Sequence, residues 1–258
     1  MNFFFGLAHS ELRTKLTVPR FQNGGRTRGD LRLFEASVSD GQWCVTALDD
    51  DGDGLFFEPV NRKNSEAIYF IAAMSEVGAR EMKLERLTTF NDFTDTVPDY
   101  RANLELLNDK AGFSSYQAEY PFKMTERSGA IVSSLATLTN KNADQNLLFF
   151  RNIFHVPEHK TGRGYIISKT RRQVLRHIEL VTNSTTCVTL RADEMGPDCY
   201  FVSSDMLGIP VYVSTSKNGA ISMEHTHPPH SNVLGPRQFE LTRRVKNELL
   251  EIVSEATG

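Results

Sequence analysis

Several things are scarce in this chain, and each absence excludes something. It has three cysteines (Cys44, Cys187 and Cys199), and no two of them stand at CxxC spacing. A zinc ribbon and a disulfide framework are therefore not expected, and an odd number of scattered thiols suits a reducing compartment. No window approaches the roughly 18 apolar residues of a membrane helix. The opening MNFFFGLAHSELR has no basic leader, and its apolar run is too short for a secretory signal. The expectation is a cytoplasmic protein without membrane contact, in which the sequon at Asn183 is irrelevant. No sign of charge prevails either: 29 Lys and Arg stand against 32 Asp and Glu, a net −3. Nucleic acid is not an expected partner of such a chain. The single tryptophan, Trp43, leaves little of the residue that stacks best on sugars. GxSxG, Walker and GxGxxG motifs are all missing, which lowers the odds of the common hydrolases and nucleotide enzymes.

What the chain does have is a succession of short β-branched and aromatic runs closed by Gly, Asn, Asp or Pro. LRLFEASV (31–38), QWCVTAL (42–48), GLFFEPV (54–60) and AIYFIAA (67–73) begin the series, and NLLFFRNIF, GYIIS, VLRHIELV, TCVTL, CYFVSS, IPVYVST and AISMEHT continue it. This spacing predicts one mainly β domain over 1–258, an antiparallel β-sandwich or meander of many short strands. A C-terminal α-helix is predicted over 237–255, where Phe239, Val245, Leu249 and Ile252 recur at helical spacing behind Pro236.

The segment IPVYVSTSKNGAISMEHTHPPH concentrates three of the seven histidines in six positions. Read as a hairpin with a three-residue Lys217-Asn218-Gly219 loop, it pairs Thr215 with Ile221, Val213 with Met223, Val211 with His225 and Ile209 with His227. His225 and His227 then extend the apolar face together, and Pro228 and Pro229 leave His230 in a loop. Two imidazoles at i and i+2 can share one metal ion. His230, or His155 and His159 in HVPEHK, are candidates to complete a zinc or iron shell.

Gly219, five residues and His225-Thr226-His227 resemble the first half of the cupin metal motif, and His225 to Pro228 resembles the His-Thr-His-Pro element of JAMM-type metalloproteases. Ser231 and Asn232 stand where the cupin glutamate belongs. Pro236 and Phe239 stand where the JAMM serine and metal-binding aspartate belong. Neither family is assigned.

Asp49, Asp51 and Asp53, with Gly54, fit the first half of a calcium loop, but Val60 stands where its bidentate glutamate is needed. An acidic turn between strands is the simpler expectation, with a weak calcium site as the alternative. Tyr116, Glu119 and Tyr120 form a pattern compatible with a carbohydrate cleft on a sheet. The leading functional expectation is a cytoplasmic β-sandwich that binds a glycan or protein ligand. The alternative is a metal-dependent hydrolase built on the His-x-His strand.

Overall fold

The computed structural model describes residues 2–7, 9–19, 21–22, 26–27, 31–48, 56–57, 66–90, 102–110, 112–117, 119–225 and 231–257. The first elements are β1 (Asn2–Phe5), β2 (Arg13–Pro19), β3 (Phe21–Gln22), β4 (Arg26–Thr27), β5 (Leu31–Ser39), β6 (Gln42–Ala47), β7 (Phe56–Phe57) and β8 (Ile68–Ala73). There follow α1 (Met74–Val77), β9 (Glu81–Leu84), β10 (Asn103–Leu107), β11 (Phe113–Gln117), β12 (Glu119–Pro121), α2 (Phe122–Thr125), β13 (Ile131–Ser134) and α3 (Leu135–Leu138). The last are β14 (Gln145–Arg151), β15 (Thr161–Ser168), β16 (Gln173–Val181), β17 (Thr185–Thr189), β18 (Cys199–Ser203), β19 (Ile209–Thr215), β20 (Ile221–His225) and α4 (Ser231–Thr257). The mainly β, antiparallel architecture with a C-terminal helix is as the sequence predicts, and the described strands close no barrel.

The strands form four larger sheets. Sheet I has the order β12-β1-β8-β5-β6-β9 and sheet II the order β11-β10-β2-β7. Sheet III is β17-β14-β19-β20, sheet IV is β13-β18-β15-β16, and β3 and β4 form a separate ribbon.

Side-chain alternation explains how these sheets stack. Along β14, Leu147 and Phe149 join the core of sheets I and II, whereas Leu148 and Phe150 join a second core with Ile166, Ile178, Leu180 and Phe201 of sheet IV. Along β19, Val211 and Val213 face the first core and Tyr212 the second. Sheet IV repeats the device: Ile166 faces sheet III, while Tyr165, Ile167 and Val202 face Leu249, Ile252 and Val253 of α4. The layers therefore run from sheets I and II through III and IV to the helix. Strands covered on both faces lose their polar alternation, which is why NLLFFR and IPVYV are continuously apolar.

Helix α4 begins at Ser231 rather than at the predicted residue 237, so Pro236 lies within it. A proline so near the N-terminus forfeits one backbone bond, to the carbonyl of Asn232, and its fixed φ suits the helix. Lys169–Glu248 at 3.1 Å and Arg172–Glu255 at 2.7 Å pin the C-terminal half to the β15–β16 turn.

Candidate functional site

In β2, β10 and β11 the pleat sends alternate residues to opposite faces. Leu16, Val18, Leu104 and Leu106 are buried in the core. Arg13, Lys15 and Thr17 of β2, Asn103, Glu105 and Leu107 of β10, and Phe113 and Ser115 of β11 take the other face. The register places them in rows: Arg13, Leu107 and Phe113; then Lys15, Glu105 and Ser115; then Thr17 and Asn103. Of these, Arg13, Lys15, Phe113 and Ser115 are exposed, and Thr17, Asn103, Glu105 and Leu107 are half-buried. Phe113 is 55 % exposed, and it and Leu241 are the large hydrophobic side chains so exposed among the described residues.

The face ends at the turn joining β10 to β11, which grips the turn joining β19 to β20. Asn108 donates from Nδ2 to the Gly219 carbonyl at 2.7 Å, and its Oδ1 accepts from the backbone N–H of Lys110 and of Gly112, each at 2.9 Å. Lys110 donates from Nζ to the Lys217 carbonyl at 2.6 Å. Gly219 has φ +94° and its N–H bonds the Ser216 carbonyl at 2.8 Å. This is the three-residue loop expected of a G1-bulge hairpin.

A cleft of about 500 Å³ opens beside these turns, lined by His9 and Glu11 on one side, Asp109 and Lys110 on a second, and Asp144 and Lys217 on a third. The Lys217 backbone N–H donates to Asp144 at 2.7 Å and its ammonium lies 3.5 Å away, so the Asp144 carboxyl is held below the usual carboxylate range.

Gly112 is what lets the two turns meet, because a Cβ there would sit 1.7 Å from the Gly219 carbonyl oxygen. Gly112→Ala is expected to separate the turns, losing the Asn108–Gly219 bond and about 2–3 kcal/mol of stability. Chemical denaturation measures this, and amide exchange at Gly219 and Ala220 should rise. A change below 0.5 kcal/mol (about the noise of such data) would show that the turns are not in contact.

The histidines are dispersed. His225 lies on β20 opposite Val211, on the Met223 side as the predicted register requires, and pairs Thr215–Ile221 and Val213–Met223 hold too. His227 and His230 lie outside the described residues. His155 is buried, its Nδ1 donating to the Thr125 carbonyl at 2.7 Å, while its own carbonyl accepts from Trp43 Nε1 at 3.0 Å. His159 donates from Nδ1 to the Thr182 carbonyl at 3.0 Å. Each ring thus holds a backbone carbonyl through Nδ1, and no group of three or more His, Cys, Asp or Glu side chains is arranged for a metal ion among the described residues.

Tyr116 and Tyr120, expected on one strand, stand in different sheets: β11 belongs to sheet II and β12 to sheet I. Strand alternation does not carry across such a switch, and the shared cleft is corrected accordingly. Tyr120 is fully buried and donates to the Leu207 carbonyl at 3.4 Å, so its ring cannot stack on a ligand; burial holds its phenol well above the ordinary range. Glu119 accepts from Asn2 Nδ2 at 3.4 Å. Asp49, Asp51 and Asp53 lie outside the described residues.

The sequence reading missed the outer face of sheet II. The available signal was Phe113 and Ser115 alternating with Ser114 in a strand directly after a glycine. No helix among the described residues is long and apolar enough to cross a membrane. Comparison with protein families, with curated proteins and with solved structures returns no match.

Proposed function

We propose that the chain is a glycan-binding module whose ligand lies on the outer face of sheet II, with Phe113 as the stacking platform. One observation carries the reading: a phenylalanine ring 55 % exposed on a polar sheet face whose opposite side buries Leu16, Val18, Leu104 and Leu106. Sugars offer an apolar C–H face and a rim of hydroxyls. Phe113 with the half-buried Leu107 supplies an apolar floor, and Glu105, Asn103 and Ser115 in the neighbouring rows supply acceptors and donors. The Asn103 amide, 3.4 Å from Glu105 Oε1, helps fix that carboxylate in place. A rigid, largely preformed surface limits the ordering cost of binding. The adjoining cleft extends the contact to more than one sugar unit.

The test is an array of neutral and acidic oligosaccharides, followed by calorimetric titration of any hit. Phe113→Ala should weaken the hit about tenfold, from the roughly 1.5 kcal/mol that an aromatic contact adds. Leu241→Ala, at the other exposed apolar side chain, should leave it unchanged. An array without hits, or hits indifferent to Phe113, overturns the reading, and a protein ligand lost in Phe113→Ala would replace glycan with a protein partner.

A further inference from the structure

We infer that the sugar resting on Phe113 is an acidic one, a hexuronate whose carboxylate is held by Arg13. The inference rests on the outer face of sheet II being a glycan site, and it adds the chemical class. Arg13, Leu107 and Phe113 lie side by side on three adjacent strands. Two strand spacings put the Arg13 and Phe113 backbones about 10 Å apart. A pyranose lying on Phe113 and Leu107 can turn its exocyclic carbon toward the guanidinium at that distance. Hydroxymethyl there makes a neutral hexose, and carboxylate makes a uronate.

The state of Arg13 selects the second. Its side chain is 65 % exposed, and its ion pair with Asp109, itself 95 % exposed, is a long one of 3.6 Å from Nε to Oδ1. Both Nη groups have no partner among the described residues. They form the planar fork that takes a carboxylate by two parallel hydrogen bonds. Two other carboxylates face the same region. Asp109 holds the guanidinium only by a long contact of 3.6 Å and is itself 95 % exposed, so a ligand carboxylate can compete with it. Glu105 lies in the next row, opposite Lys15 and beside the Asn103 amide, so it meets the ligand at hydroxyls rather than at its charge. A single arginine fits one acidic unit in an otherwise hydroxyl-rich chain.

The experiment titrates the full chain with short oligosaccharides of galacturonic, glucuronic and mannuronic acid, each beside its methyl ester, which keeps the ring and removes the charge. The acid of at least one series should bind. Its ester, and the acid with Arg13→Gln, should each bind about tenfold to a hundredfold more weakly, the range for a charge-assisted hydrogen-bonded contact. Affinity should fall as salt rises, because the pair is exposed. Phe113→Ala should weaken acid and ester alike. If acid and ester bind equally and Arg13→Gln changes nothing, the inference is overturned while the glycan reading stands. The same holds if only neutral oligosaccharides bind. If no oligosaccharide of any class binds, both fall together.

Discussion

Replacing Asn183 with alanine should cost about 3–5 kcal/mol of folding stability, the sum of three unmade buried hydrogen bonds and a strained backbone. Asn183 sits in the turn between β16 and β17 with φ +58° and is fully buried. Its Oδ1 accepts from the Phe154 N–H at 2.7 Å, and its Nδ2 donates to the carbonyls of Val156 and Glu158 at 2.8 and 3.0 Å. Its own N–H is held by Asn152 Oδ1 at 2.9 Å. One side chain thus stands in for a β partner along the loop 154–158, which carries His155. Asn183→Gly should recover roughly 1 kcal/mol relative to alanine, since it removes the left-handed strain and leaves the lost bonds lost. Urea denaturation of the three proteins tests both parts. An alanine variant within 1 kcal/mol of the parent, on the scale of an ordinary surface change, would mean that the loop is held by something else. The same burial rules out use of this sequon on the folded chain, since the amide nitrogen that a glycan would occupy already makes two bonds.

These bonds also explain why HVPEHK invites a metal reading. Histidines and a glutamate at short spacing suggest ligands when seen as letters. In the fold, Nδ1 of His155 and of His159 meets the Thr125 and Thr182 carbonyls, the Glu158 backbone carbonyl takes the Asn183 amide and the Thr182 hydroxyl, and the Glu158 carboxylate pairs with Lys160. Sequence records residue types but not the carbonyl a ring nitrogen will meet.

The β19–β20 hairpin was legible because local chemistry decides it. Gly219 permits the left-handed turn position, and only one register puts Met223 on the buried side. The layering was less legible. Alternation assigns faces when one side of a sheet is wet, and β14 and β19 are dry on both. Phe149 and Phe150 look alike in sequence, yet they serve different cores. The change of sheet between Gln117 and Glu119 was invisible for a related reason: YQAEY alternates as one strand would, and the crossing is fixed by β1 pairing with Tyr120 and β10 with Tyr116. The candidate site was not legible in its residues. An aromatic carbohydrate platform was expected a few residues away, on Tyr116 and Tyr120, whereas the exposed ring belongs to Phe113. Which aromatic stays exposed depends on which strand face the rest of the chain covers.

Arg151 is expected to show the other large effect, and its two substitutions should diverge. It ends β14 with no exposed surface, donating from Nη2 to the Glu66 carbonyl at 2.7 Å and from Nη1 to Thr185 Oγ1 at 3.3 Å, while its Nε finds no partner. Tyr69 and Tyr120 stand against it, and burial drives its pKa down to about 10. Arg151→Ala removes the bonds and leaves a cavity, at a cost of about 3–5 kcal/mol. Arg151→Met fills the space without a charge to desolvate, so it should recover about 2 kcal/mol or more of that loss. The pH dependence separates charge from volume. A base whose pKa is lower in the folded state binds fewer protons folded than unfolded, so stability rises with pH as it passes about 10. The parent should therefore gain on Arg151→Met between about pH 9 and 11, by no more than the roughly 1.4 kcal/mol per pH unit that one proton allows. Subtracting the two denaturation curves cancels the tyrosines and lysines remote from Arg151, and leaves its own titration with that of Tyr69 and Tyr120, which couple to it. A flat difference would show that the guanidinium stays protonated in the folded state through pH 11, and equal losses for alanine and methionine would show that its hydrogen bonds, not its volume, hold β14 to the Glu66 backbone.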